Sequence, residues 1–274
     1  MKRFEKIFLI LTIAIVISFL VGFILNENLN TKFWALATNI GDERAYIFIA
    51  IAMFFFYPSI GVLILATVLF NGMINFFLKW YFNIPRPPNP KIMETGPSFP
   101  SNHAQSSGGF WTIANLKHHS KYLIVLGIVY TAFICYSRLA LNVHYPSDVI
   151  AGSIIGLVIA IATFSLYHWF KSSFWTTEAL LIATFIFSFI GFSIYGDMDF
   201  VRTSFFALGF SIFYPLIRDE QKGMRIRIVS FVIWFLIALP LLAINIGNIY
   251  IQYFGLGISA PLIKYIVYRI DDLR

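Results

Sequence analysis

Charge is what this sequence has least of. Only 12% of its 274 residues are Asp, Glu, Lys or Arg, against about 25% in a soluble domain. Cysteine is nearly missing too. The single Cys135 lies in an apolar stretch, so no intrachain disulfide can form and a disulfide-stapled secreted scaffold is excluded. There is no low-complexity tract and no internal repeat. No run of Lys or Arg resembles a nucleic-acid arm, although the net charge is +7. No HExxH or Cys/His ligand spacing is present, so neither a catalytic metal nor another cofactor is expected.

What is there is apolar. Hydrophobic residues make up 59% of the chain and aromatic residues 19%. So little polar surface cannot coat a water-exposed globule, which excludes disorder and an ordinary soluble enzyme. The expected class is an all-α polytopic transmembrane bundle.

Ile7 to Leu25 form an unbroken apolar run, and Asn26-Glu27-Asn28-Leu29 after it lacks a small-residue cleavage site. The run therefore reads as a retained membrane helix. Further apolar segments lie at about 42–57, 59–80, 103–116, 121–138, 145–170, 176–195, 201–217, 228–244 and 247–268. The second and third meet at Tyr57-Pro58-Ser59 and read either as two helices or as one kinked helix. The last holds Gly255, Gly257 and Pro261 and reads as continuous or broken.

Lys and Arg set the expected orientation. With the N-terminus in the cytoplasm, ten spans leave thirteen cations inside, among them Lys2, Arg274 and the basic loop Arg218–Arg227, and seven outside. That bias predicts both termini on the cytoplasmic side of a cell membrane.

Three polar clusters fall at helix ends on the predicted outer face. The first is Lys79, six residues, then Arg86-Pro87. The second is Pro100-Ser101-Asn102-His103. The third is Ser137-Arg138, five residues, His144, three residues, Asp148. Three cations with two imidazoles suit an oxyanion: Arg presents a planar fork to phosphate oxygens and Lys a point charge. Ser101 reads as the N-cap of the helix starting near His103. Pro146 suits the first turn of the next helix in the same direction. Both helix starts aim free N–H groups at that face. Asp148, in a first turn, can reach back and hold one nitrogen of His144, leaving the other free to attack phosphorus. His103 is placed to protonate the leaving oxygen.

These clusters resemble the signature of the type 2 phosphatidic acid phosphatase superfamily of integral-membrane lipid phosphatases: Lys-(six)-Arg-Pro, Pro-Ser-Gly-His and Ser-Arg-(five)-His-(three)-Asp. The match departs once, Asn102 standing where Gly is usual. Asn tolerates the left-handed region better than most residues. Tyr145-Pro146-Ser147-Asp148-Val149-Ile150-Ala151-Gly152 also looks like the family's segment there, and the resemblance covers about residues 40–170.

The resemblance implies a metal-independent reaction through a phosphohistidine. His144 would be the nucleophile, Asp148 its partner and His103 the acid. Lys79, Arg86, Ser101, Arg138 and the N–H at Asn102 would bind phosphate. It also implies a six-helix core over residues 1–170, with residues 171–274 as a C-terminal transmembrane extension of unknown role. The expected function is hydrolysis of a lipid phosphate or diphosphate at the outer face, a polyisoprenyl carrier first. The alternatives are a lipid phosphotransferase using the same intermediate, or a non-catalytic lipid-phosphate transporter or scaffold. Membrane lipids and the lipid phosphate are the expected partners, and nucleic acid is not.

Gly108, Gly109, Gly152 and Gly156 suit close helix packing in lipid. Gln105 and Trp111 read as lining a substrate path or as packing. Glu94 reads as a solvated loop charge, with a second acid as the alternative, and His118-His119 read as loop residues.

Overall fold

The structure, a computed structural model, describes residues 3–171, 174–217, 222–243 and 247–273. Lys2, Arg218 and Arg274 of the orientation count lie outside the described residues. Among the described residues there are eleven α-helices, a 3-10 turn at Tyr214–Leu216, and no strand. The helices are α1 (Arg3–Ile24), α2 (Glu27–Asn39), α3 (Glu43–Phe56), α4 (Pro58–Phe82), α5 (Asn102–His118), α6 (Lys121–Ala140), α7 (Pro146–Trp169), α8 (Phe174–Tyr195), α9 (Met198–Phe213), α10 (Met224–Ala243) and α11 (Ile249–Asp272). Six of them, α1, α4, α6, α7, α8 and α10, are long and apolar enough to cross a membrane. The chain is an all-α, multi-pass membrane protein.

Two open readings resolve. The α3–α4 junction is a tight hairpin: a Cβ on Gly61 would collide with the backbone of Met53 and Phe54, seven and eight residues back, which a continuous helix holds far away. The last segment is one helix, with Pro261 accommodated inside α11. One helix has no counterpart in the apolar segments. The sequence of α2, Glu-Asn-Leu-Asn-Thr-Lys-Phe-Trp, is too polar to register as a span. Asn26 caps it by accepting from the N–H of Leu29.

The described residues group into two compact units that do not divide at residue 170. One takes residues 1–46 and 74–166, the other residues 47–73 and 167–274. In the first, α1, α2 and α6 join through an aromatic cluster of Phe19, Phe33, Trp34, Phe133 and Tyr136, with Trp34 almost fully buried. Such ring pairs supply about 0.5–1.5 kcal/mol each beyond area burial.

Helices α5 and α7 of this unit touch backbone to backbone. A Cβ on Gly152 would stand 2.6 Å from the Ser101 carbonyl oxygen, one on Gly108 2.6 Å from that of Ser153, and one on Gly156 would strike the Gln105 carbonyl. Only glycine permits that approach, and it brings the N-termini of both helices to one place.

In the second unit α8, α9, α10 and α11 pack with the α3–α4 hairpin. The turn leaves carbonyls at the end of α3 without helical partners. Buried Lys264 of α11 donates to Phe54 O at 3.0 Å and Arg227 of α10 to Phe56 O at 2.7 Å.

Candidate active site

The predicted site residues all belong to the first unit. Lys79 ends α4. Arg86 lies in the Pro-rich loop that follows. Ser101, Asn102 and His103 open α5. Arg138 stands in the last turn of α6, His144 just after it, and Asp148 in the first turn of α7. The N–H of Ser101 donates to the Asp148 carbonyl at 3.1 Å, so the two helix starts are joined by their backbones.

Asp148 reaches back as its position predicts. Its Oδ2 accepts from the N–H of Tyr145 at 2.9 Å and lies 3.2 Å from His144 Nδ1. On the other side of the ring, Arg86 Nη1 stands 3.3 Å from His144 Nε2. A guanidinium can only donate. Nε2 is therefore the acceptor nitrogen, and Nδ1 carries the proton toward Asp148. Both His144 and Asp148 are buried. Burial depresses His144 to about 4, against the opposing pull of Asp148 and with Lys79, Arg138 and Arg86 adding to the depression. The ring is thus neutral at neutral pH, with Nε2 unprotonated.

The cations are held by carbonyls of the loop. Lys79 Nζ donates to Pro97 O at 2.6 Å and Ser98 O at 3.2 Å. Arg86 donates to Gly96 O, Thr95 O and Val143 O, each at 3.0 Å. Arg138 is 1% exposed; its Nη1 donates to Thr38 Oγ1 of α2 at 2.9 Å and its Nη2 to Glu94 Oε1 at 2.5 Å. Two buried polar atoms here have no hydrogen-bond partner: Arg138 Nε and Ser101 Oγ. Ser101 occupies the N-cap position, yet its side chain makes no capping bond. Orphaned donors beside a cluster of cations fit an anion better than they fit a sealed core.

Two expectations change and two open readings resolve. Glu94 is not a solvated loop charge. It bonds Arg138 and also stands 3.8 Å from Arg86 Nη2. Burial raises its carboxyl, but the two arginines outweigh that and hold it below its ordinary value. Gln105 lines no path: it is fully buried, and its Oε1 accepts from Asn75 Nδ2 at 2.7 Å. Trp111 packs, against Gly127 and Tyr130 of α6. His118 belongs to the last turn of α5 rather than to a loop, and His119 follows it in the left-handed conformation.

The corner between α2 and α3 carries residues that spacing did not reveal. Asn102 Nδ2 donates to Glu43 Oε2 at 3.1 Å. Asp42 Oδ2 lies 4.0 Å from His103 Nε2. Burial, with the charges of Arg138, Lys79 and Arg86 adding to it, pushes His103 well below the ordinary histidine value. With Thr38 and Glu94, these four make the set that the motifs missed. A Trp-containing amphipathic stretch before the second apolar segment was the one available signal.

Residues 60–173 match the family profile described as the PAP2 superfamily. Glucose-6-phosphatase 2 of Homo sapiens is 27% identical over 161 residues, 45% of this chain and 45% of that protein. Glucose-6-phosphatase 3 of Bos taurus is 26% identical over 157 residues, 46% of this chain and 45% of that one. The chain thus spans less than half the length of the curated relatives it matches. Among solved structures, the first transmembrane PAP2 type phosphatidylglycerolphosphate phosphatase from Bacillus subtilis aligns with a TM-score of 0.42 at 25% identity, over 57% of this chain and 90% of that chain.

Proposed function

We propose that this chain, whose residues 60–173 match the PAP2 superfamily profile, hydrolyses a lipid-borne phosphate through a phosphohistidine at His144. The observation that carries the reading is the pair of contacts on that ring. Asp148 holds Nδ1–H while Arg86 faces a bare Nε2. A nucleophilic imidazole needs its proton on the far nitrogen and its lone pair on the near one.

The phosphate lies against Lys79, Arg86, Arg138, Ser101 Oγ and the free N–H at Asn102, whose positive charge and dipole stabilise the equatorial oxygens as charge develops there. Nε2 attacks phosphorus in line with the leaving oxygen. As the N–P bond forms and the P–O bond breaks, His103 gives its proton to the leaving oxygen. The lipid alcohol, or the shorter phosphate of a diphosphate, departs. Neutral His103 then takes a proton from water, the oxygen attacks phosphorus, and the P–N bond breaks to return His144.

The lipid is a polyisoprenyl phosphate or diphosphate in the first instance, and the site faces the outer side, in keeping with the Lys and Arg bias of the loops. The names of the matched relatives favour a second reading, in which the phosphate arrives on a soluble sugar.

A phosphate-release screen of the purified protein tests this, with chelator present and His144→Ala alongside. Substrates are polyprenyl phosphate and diphosphate, phosphatidate, phosphatidylglycerophosphate and glucose 6-phosphate. Prompt release from a lipid without any acceptor, abolished by His144→Ala, is expected. Release only on addition of an acceptor lipid identifies a phosphotransferase. Preference for glucose 6-phosphate selects the sugar reading. Binding without turnover identifies a scaffold. Equal turnover by His144→Ala removes the assigned nucleophile.

A further inference from the structure

Asp42 is the last residue before α3, and its two carboxylate oxygens face different ways. Oδ1 accepts from the N–H of Arg44 at 2.9 Å, the bond of a helix cap, and lies 3.3 Å from Arg44 Nε. Oδ2 is turned toward α5, 4.0 Å from His103 Nε2. The next residue, Glu43, holds the side chain of Asn102, the residue before His103. Two consecutive carboxylates thus meet two consecutive residues at the start of α5.

We infer that Asp42 is a positioning residue for His103, holding the ring by Nε2 and stabilising its charged form so that Nδ1 delivers the proton to the leaving oxygen. The inference rests on the catalytic reading above and adds to it a partner for the acid, as Asp148 is the partner of the nucleophile.

The need for such a partner follows from the surroundings of the ring. Burial weighs most against a proton on His103, and Arg138 from α6, Lys79 from α4 and Arg86 from the Pro-rich loop add to it, as does the positive dipole end at the N-terminus of α5. Each disfavours a proton on His103, yet the acid must carry one before the leaving oxygen departs. Glu94 is committed to Arg138 and Arg86, and Asp148 to His144. Glu43 bonds Asn102. Asp42 is a carboxylate within ion-pair reach of His103. The Glu43–Asn102 bond ties the same corner to α5, which gives Asn102 a structural purpose where the family has glycine.

Asp42→Asn tests this. Asn remains a good cap for α3, so the fold is kept while the charge at His103 is removed. The variant and parent are compared on two phosphate monoesters, 4-nitrophenyl phosphate and a long-chain alkyl phosphate. The aryl oxide leaves readily without a proton, whereas the alkoxide does not. Asp42→Asn is expected to lower kcat/KM for the alkyl ester by about ten-fold or more while the aryl ester changes little. The alkaline limb of the alkyl profile moves to lower pH, because His103 loses its proton sooner without the carboxylate. Asp42→Glu restores part of the rate and of the limb. Equal losses on both esters, or an unmoved limb, would show that Asp42 merely caps α3 and overturn the inference while leaving the catalytic reading intact. A parent that turns over neither these esters nor any substrate of the phosphate-release screen removes both.

Discussion

Glu94 is bonded to Arg138 at 2.5 Å and faces Arg86 with its second oxygen at 3.8 Å. These are two of the cations that the motifs assign to phosphate. A carboxylate on a guanidinium fork uses the same geometry as a phosphate on that fork. An entering phosphate must therefore displace Glu94 or share the arginines with its negative charge.

Glu94→Gln should tighten the binding of inorganic phosphate or vanadate. Removing one competing charge at about 1.4 kcal/mol corresponds to about ten-fold in affinity. Competitive inhibition constants, measured against the best substrate of the screen, give the answer. Weaker inhibition in the variant would show instead that Glu94 holds Arg138 in its working position.

The crossing of α5 and α7 carries a second prediction. Gly156→Ala places a methyl group against the Gln105 carbonyl, on backbone that cannot give way as a side chain can. Overpacking of this kind costs about 1–3 kcal/mol. The midpoint of thermal unfolding in detergent should fall. Turnover measured below that midpoint should fall as well, since the same crossing aligns Ser101 with Asp148. An unfolding midpoint and turnover both equal to the parent's would mean that the helices can part without consequence.

Acid pH acts on the proposed nucleophile. His144 is depressed by burial to about 4. Above that value the ring is neutral and can attack; below it Nε2 is protonated and cannot. The acid limb of kcat/KM, corrected for ionisation of the substrate, should therefore lie near pH 4. A limb near the ordinary histidine value of 6.5 would contradict a buried, neutral His144.

Much of the site was legible because its residues sit at helix ends, where sequence signals are local. Pro146 and Asp148 announce the start of α7, and the reach of Asp148 back to His144 follows from a spacing of four. The rest depends on contacts with no local signature. Thr38 meets Arg138 from a hundred residues away, and Glu94 meets it from forty-four. α2 escaped notice because its polar first turn hides a helix anchored by Trp34. Residues 47–73 pair with the C-terminal helices in the second unit, a grouping that motif positions do not encode.

Asn102 was visible as a departure, and its partner Glu43 was not. Asn102→Gly removes the bond to Glu43 and keeps the backbone N–H proposed to bind phosphate. Turnover should persist within about five-fold, because Asp42 still faces His103 and a single hydrogen bond typically contributes about 1 kcal/mol net. Loss of all activity in a folded Asn102→Gly protein would show that the amide itself takes part in the reaction.

Covalent trapping addresses the chemistry at its centre. Purified protein is mixed with the preferred substrate carrying a radioactive terminal phosphate and quenched within one turnover in alkali, where phosphohistidine survives. Label should appear on the peptide that contains His144, disappear on acid treatment, and be absent from His144→Ala. Turnover with no acid-labile label on that peptide, under conditions that trap the phosphoenzyme faster than it breaks down, would contradict attack by His144.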